Sequence, residues 1–223
     1  MNSDITIRKA GLPDIDFLTE TIVMAEKGNG NTISYCALFD ITESEFRLML
    51  KKALNEEIDN FEFSLSAFKI ALAGGLPVAA YGAWIEESDG MPSGLLKLSA
   101  CKAFLKREAL EYYSGIVHIA NEIGFKRSPG TLQFESLYII EPFRGRRIGQ
   151  LLGQSLIDGL LETNPGIHTA QLQLIKQNEV SLAGQKKFGF EVVAEKTTQN
   201  PGIYKFYPGN TRVLMEKKIG NGK

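Results

Sequence analysis

The most informative segment of the sequence is Glu141-Pro142-Phe143-Arg144-Gly145-Arg146-Arg147-Ile148-Gly149-Gln150. It follows the apolar run 137–140 and precedes the apolar sequence 151–157, so it predicts a strand, a basic turn with glycine, and then a helix. Such a turn directs several backbone N–H groups toward one place, beside a helix N-terminus with its partial positive charge. The stretch therefore predicts a site for the pyrophosphate of a cofactor.

The composition is that of an ordinary globular protein of 223 residues, with 43% apolar residues and a net charge of −1. Without a basic excess, we expect no nucleic-acid partner. No apolar run approaches the about 20 residues that span a bilayer, so we expect no membrane partner. Cys36 and Cys101 are far apart and form neither a metal spacing nor a disulfide framework. The cysteine spacing leads us to expect no bound metal. Residues 1–5 lack the pattern of a signal peptide, which favours a cytoplasmic protein.

The order of predicted elements indicates an α/β fold with a mixed sheet. Alternating or continuous apolar patterns predict strands at residues 5–8, 63–72, 77–85, 134–140, 168–175, 190–194 and 211–219. Helical spacing of apolar residues is found in 15–26, 46–54, 95–105, 110–123, 148–161 and 180–188. The cluster 28–31 ends the first helix, and Thr42 with Glu45 forms a capping box before the second.

Residues 87–130 separate two of these strands and are too many for an ordinary connection. We interpret them as a helical insertion within a single domain that spans residues 1–223. Because of its length and position, the insertion is expected to form a lid or one wall of a substrate pocket, and its helices could pack against a second copy in a homodimer.

Two motifs resemble those of the GNAT superfamily of N-acetyltransferases. The segment 144–149 resembles the family's Q/R-x-x-G-x-G/A cofactor loop, and Pro142 stands where the family often has proline. Asn178 followed by 187–190 (Lys-Phe-Gly-Phe) resembles the family's late pattern of an asparagine, a helix and a closing Gly-Phe. The similarity extends from the hairpin at residue 63 to residue 190. It implies a mostly antiparallel sheet flanked by helices, with the fourth and fifth strands splayed apart.

The resemblance implies acetyl-CoA as acyl donor and assigns its site residue by residue. The backbone of Leu137, Tyr138 and Ile139 would hold the pantetheine arm. Asn178 would bond that arm or order the splayed strands, and Arg144 would fix the loop. The pyrophosphate would be held by the N–H groups of the loop, formed by Arg144, Gly145, Arg146, Arg147, Ile148, Gly149 and Gln150.

The sequence departs from the family pattern at two positions. Arg147 replaces the first loop glycine, which phosphate binding tolerates if the local φ is negative. Gln185 occupies the position of the tyrosine that often protonates the departing thiolate, and glutamine cannot do so. Tyr204 or Tyr207 could be displaced substitutes.

An amine acceptor must lose a proton before it attacks a thioester, because a lysine-like ammonium has a pKa of about 10.4. Glu135 is the candidate base. Alternation along the strand places Glu135, Leu137 and Ile139 on one face that looks buried, where desolvation would raise the carboxyl pKa. The alternative is that Glu135 is a surface or structurally paired carboxylate.

The leading functional hypothesis is an acetyl-CoA-dependent N-acetyltransferase acting on a small-molecule amine or on a protein or peptide amine. The alternative is a relative that binds acetyl-CoA as a sensor or partner module without catalysis, which Gln185 favours. A nucleotide-binding protein of another fold would carry its glycine loop after the first strand, whereas this loop lies past the middle of the chain.

Overall fold

A computed structural model describes residues 5–28, 30, 32–56 and 58–220. Residues 1–4 of the N-terminal segment without a signal-peptide pattern, and Asn29 and Asn31 of the predicted helix-ending cluster, lie outside these ranges. In the described ranges, no helix is both long enough and apolar enough to cross a bilayer.

The described residues form a seven-stranded sheet with helices on both faces. The strands are β1 (Ile5–Lys9), β2 (Phe68–Ala73), β3 (Leu76–Ile85), β4 (Leu132–Ile139), β5 (Thr169–Ile175), β6 (Glu191–Thr197) and β7 (Thr211–Lys218). The helices are α1 (Ile15–Lys27), α2 (Ser34–Phe39), α3 (Glu43–Asn55), α4 (Ser93–Phe104), α5 (Arg107–Asn121), α6 (Ile148–Thr163) and α7 (Glu179–Lys187).

The strand order is β1-β2-β3-β4-β5-β7-β6, and neighbours are antiparallel except for the parallel pair β4 and β5. That pair is joined at only two positions, Leu132 with Ala170 and Gln133 with Gln171. The Gln133 side chain also donates to that of Gln171 at 2.9 Å. Beyond this junction the two strands diverge. The predicted mixed, mostly antiparallel sheet with splayed fourth and fifth strands is confirmed.

A β-bulge lies in β4 just past the junction. Ser136 has φ 59°, and the register between β3 and β4 shifts there, from Gly82 opposite Glu135 to Ala80 opposite Tyr138. An extra residue in one strand bends that strand and increases its twist. The bulge therefore accounts for the turn of β4 away from β5.

The two faces of the sheet carry separate cores. Helix α6 packs against β2, β3 and β4 on one face. Helix α1 packs against β3 and β4 on the other, together with α3. The predicted insertion contains α4 and α5, which pack against α3 and α2 respectively. The insertion thus extends the core on the face that α1 covers.

Two local predictions differ from the structure. The strand predicted over 63–72 begins only at Phe68, because the chain before it forms a turn in which Phe61 N–H donates to Ser64 Oγ at 3.1 Å. Phe61 and Phe63 are buried, but they belong to this turn and not to a strand. Helix α2 was not predicted, since its six residues are too few to show a helical period.

Candidate functional site

A cleft of about 1400 Å³ opens where β4 and β5 diverge. Its walls come from the loop after β4, from both diverging strands, from α7, from the end of α1 and from the insertion. All but one of the residues predicted to bind the cofactor line it: Leu137, Tyr138, Ile139, Arg144, Gly145, Arg147, Ile148, Gly149, Gln150 and Asn178. The exception is Arg146, whose guanidinium carbon lies 4.9 Å from the centre of the Phe143 ring.

The loop between β4 and α6 offers a row of free backbone donors. A short 3₁₀ turn over Glu141–Phe143 ends β4, and Arg144 Nε donates back to the Ile139 carbonyl at 3.1 Å. Within the part of the chain that the structure describes, no acceptor is bonded to the N–H groups of residues 145–150. Six successive donors at a helix N-terminus form an anion-binding arrangement.

The backbone of Arg147 does not meet the condition stated for it, which was a negative φ. Arg147 has φ 59° and ψ 16° and is the N-cap of α6 in the left-handed region. Gly145 before it also has a positive φ of 76°. The arginine thus adopts the conformation that a glycine would adopt there, at a cost of about 1 kcal/mol. In the described residues the backbone N–H groups of 145–150 still have no acceptor, and the exposed guanidinium of Arg147 lies at the rim of the cleft.

The predicted grouping of β4 side chains is wrong, and the bulge is the reason. Leu137 and Ile139 pack toward α6, where their methyl groups lie 3.0 and 3.6 Å from the position that a Cβ would occupy at Gly149. Phe134 belongs to the same core. Because Ser136 is an extra residue in the strand, alternation is interrupted, and Glu135 faces the opposite side, toward α1 and the insertion.

Glu135 belongs to a network of buried charges that the sequence did not predict. Arg127, which follows α5, forms an ion pair of 2.5 Å with Glu135 and one of 3.2 Å with Glu62. Glu62 is 2% exposed and accepts hydrogen bonds from Tyr35 Oη at 2.5 Å and Lys97 Nζ at 2.7 Å. Two cations from the insertion thus meet two carboxylates beneath the cleft.

The pKa values of the two carboxyl groups in the network, Glu62 and Glu135, are shifted in opposite directions. Burial works against ionisation of Glu62, but Lys97 and Arg127 outweigh it and hold the Glu62 pKa well below its usual range. At Glu135, burial and the nearby negative charge of Glu62 dominate over Arg127, and the pKa is raised. The Glu135 side chain is still 35% exposed, so it is accessible from the cleft.

A third carboxyl group, Glu26, completes this end of the cleft. It lies in the last turn of α1, lines the cleft and accepts a hydrogen bond from Ser34 Oγ. Burial, opposed by that hydrogen bond and reinforced by the charge of Glu135, raises the pKa of Glu26 to about 7. A carboxyl group of that pKa can exchange a proton near neutral pH.

Helix α7 supplies the floor of the cleft beside β5. Asn178 caps it, with Oδ1 accepting from Ser181 N–H at 3.2 Å. Gln185 Nε2 donates to the hydroxyl of Tyr81, on β3, at 3.0 Å. Of the two tyrosines considered as substitutes for the family tyrosine, Tyr204 is 58% exposed and lies away from the cleft, whereas Tyr207 lines it.

The insertion forms one wall of the cleft, as expected from its length and position. Lys97 and Tyr113 come from its two helices and Arg127 from the segment after them. One local signal for the charge network is Glu62 between two phenylalanines, because a charge inside an apolar run indicates a buried pair. Nothing local marks Glu26, Lys97 or Arg127.

Comparison with known proteins relates this chain to others by structure rather than by sequence. No family model matches the chain. No curated protein matches it. Many solved structures do.

An N-acetyltransferase from Staphylococcus aureus Mu50 superposes with a TM-score of 0.59 at 15% identity, covering 95% of this chain and 99% of that one. An acetyltransferase of the GNAT family from Streptococcus pneumoniae gives 0.52 at 14% identity, with 97% and 100% covered. A putative acetyltransferase from Salmonella typhimurium, determined with its cofactor acetyl-CoA, gives 0.53 at 16% identity, with 99% and 97% covered.

Proposed function

Because this chain has the fold of the GNAT acetyltransferases, we propose that it moves an acetyl group from acetyl-CoA to an amine acceptor. The observation that carries the proposal is the row of free N–H groups at residues 145–150, which faces a cleft between diverging strands. Free N–H groups that can bind an anion, together with an open strand edge in the same cleft, suit a ligand with a pyrophosphate and a long amide-containing arm.

Acetyl-CoA, the acyl donor, would be held mainly by backbone groups of the protein. The N–H groups of 145–150 would bind the pyrophosphate, with the charges of Arg144 and Arg147 beside it. Past Gln133 the edge of β4 that faces β5 is free, so the backbone of residues 137–139 could pair with the amides of the pantetheine arm. These groups are fixed by the fold and lose little entropy on binding.

The acceptor would enter from the face of the sheet that carries Glu135 and Glu26. A carboxylate there attracts the ammonium form of the acceptor and removes its proton. The free amine then attacks the thioester carbonyl carbon, a C–N bond forms, and the C–S bond breaks. We assign the base role to Glu135, because its pKa is raised and its side chain is accessible from the cleft beside the bulge.

The test combines binding and turnover. Calorimetry with acetyl-CoA measures donor binding, and release of free thiol with a panel of small amines and peptide N-termini measures transfer. For Glu135→Gln we expect turnover to fall by about 10²-fold or more, with an unchanged dissociation constant for acetyl-CoA. Glu191→Gln, an exposed carboxylate on β6, is the matched control. Turnover of Glu135→Gln close to that of the wild type would refute the base assignment.

The sensor function remains the second candidate, because Gln185 replaces the tyrosine that the resemblance leads us to expect. It predicts binding of acetyl-CoA without thiol release above background for any amine. Absence of acetyl-CoA binding would refute both candidates.

A further inference from the structure

Tyr81 has a position that neither the loop nor the charge network explains. It lies on β3 between Ala80, which faces Tyr138, and Gly82, which faces Glu135, and is therefore directly opposite the bulge of β4. Its ring is 2% exposed and packs 4.9 Å from that of Phe134. Its hydroxyl is bonded to Gln185 of α7, the helix that follows β5, and Tyr81 lines the cleft.

The hydrogen bond from Gln185 decides what the Tyr81 hydroxyl can do. Gln185 Nε2 is the donor and Tyr81 Oη the acceptor, at 3.0 Å. A phenolic hydroxyl has one proton of its own to donate, and in the described part of the chain no group accepts it. Tyr81 thus presents an uncommitted O–H donor in the cleft, and its oxygen is held in place by an amide.

Tyr81 and Glu135 flank the gap from opposite faces of the sheet. Cross-strand partners share a face, so Gly82 and Glu135 point to one side and Tyr81, the neighbour of Gly82, to the other. A thioester that lies in the gap would therefore have the proposed base on one side and a hydroxyl donor on the other. This arrangement suits a reaction in which a proton leaves the acceptor and negative charge develops on sulfur.

We propose that Tyr81 donates a hydrogen bond to the thioester sulfur as the C–S bond breaks, and that Gln185 is a positioning residue for its hydroxyl. The inference rests on the proposed acetyl transfer. The electron pair of the C–S bond goes to sulfur, the proton lost by the amine goes to Glu135, and Tyr81 keeps its own proton. The thiolate takes a proton from water when it leaves.

The acidity of the two groups supports a hydrogen bond rather than complete proton transfer. Burial raises the pKa of Tyr81 above its ordinary value, and the bond from Gln185 opposes that rise only in part. A thiol has a pKa of about 8.5, so the proton is more stable on the tyrosine oxygen than on the departing sulfur. A donor aimed at developing charge accelerates such a step without being consumed.

Tyr81→Phe removes the hydroxyl and keeps the ring. At saturating acetyl-CoA we expect kcat to fall by about 10²-fold with an unchanged dissociation constant for acetyl-CoA. Gln185→Leu should lower kcat less. In the double variant Tyr81→Phe with Gln185→Tyr, a hydroxyl returns from α7 and kcat should partly recover. Tyr204→Phe, an exposed tyrosine outside the cleft, is the matched control and should behave as the wild type.

A second measurement needs no acceptor. Ultraviolet absorbance reports the thiolate of bound coenzyme A, whose thiol pKa should be about one unit higher in Tyr81→Phe than in the wild type. Equal thiol pKa values, or a kcat within twofold of the wild type, would overturn the inference while leaving acetyl transfer intact. Failure of the wild type to bind acetyl-CoA would overturn both.

Discussion

Replacement of Arg147 by glycine should raise the free energy of unfolding and lower the affinity for acetyl-CoA. Arg147 has φ 59°, in the left-handed region that costs a residue with a Cβ about 1–2 kcal/mol. Glycine removes that cost but adds about 0.5–1 kcal/mol of chain entropy to the unfolded state. The difference predicts an increase of about 0.7 kcal/mol in the free energy of unfolding, or about 2 °C in the melting temperature of a chain of this length.

The same substitution removes a charge from the rim of the cleft. An exposed guanidinium beside a pyrophosphate contributes about 0.5–1 kcal/mol, so the dissociation constant for acetyl-CoA should rise about two- to fivefold. The loss should shrink at high salt, because exposed charges are screened. Stability and affinity should therefore change in opposite directions in one variant.

Arg146→Gly provides the control. Arg146 is also exposed, but it does not have a positive φ, so glycine there brings only the entropy cost and the loss of the contact with Phe143. We expect Arg146→Gly to lower the melting temperature, measured by scanning calorimetry beside Arg147→Gly. If Arg147→Gly is destabilised as much as Arg146→Gly, the left-handed conformation carries no cost and the argument is refuted.

Three further predictions follow from burial and packing. The free energy of unfolding should decrease as pH rises from about 5 to 8, because Glu26, with a pKa of about 7, holds a proton in the folded state that the unfolded chain releases near 4.5. Relative to the wild type, Glu26→Gln should therefore be about 2 kcal/mol more favourable at pH 8 than at pH 5.5 in urea unfolding, and an equal effect at both pH values would contradict this. Gly153→Ala should lower the melting temperature, because the new Cβ would lie 2.5 Å from the Phe188 ring. The overpacking costs about 1–3 kcal/mol, more than the about 1 kcal/mol by which alanine favours a helix over glycine. In the control Gly159→Ala, in the same helix, the Cβ meets only the end of the Lys69 side chain, and the melting temperature should not fall. Amide exchange of residues 145–150 should be fast in the free protein and slow with acetyl-CoA, and no change on addition of the ligand would argue against the loop as its site.

Local sequence patterns predicted most elements because their signals are local. The capping box of Thr42 and Glu45 forms as predicted, with Glu45 N–H donating to Thr42 Oγ1 at 3.2 Å. The turn at Gly74 and Gly75 has positive φ at both residues. Gly189 follows α7 with φ 95°, as a helix-ending glycine should.

What the sequence could not predict depends on one inserted residue and on contacts between distant segments. A bulge moves every later side chain of a strand to the other face, and nothing in Glu135-Ser136-Leu137 marks it. The pair of Gln185 and Tyr81 joins positions 104 apart in sequence, so the meaning of the glutamine could not be derived from α7 alone. The turn between β4 and α6 was predictable because its sequence signal is contained in ten consecutive residues, 141–150.

The short junction between β4 and β5 has a consequence for the behaviour of the free protein in solution. Past Gln133 and Gln171, two strand edges in the middle of the sheet have no partner strand among the described residues, and each could pair with an extended segment of another chain. A ligand arm lying between them would act as a missing strand. Concentrated protein without ligand should therefore be more prone to self-association than the liganded form, and acetyl-CoA should be a useful additive during purification.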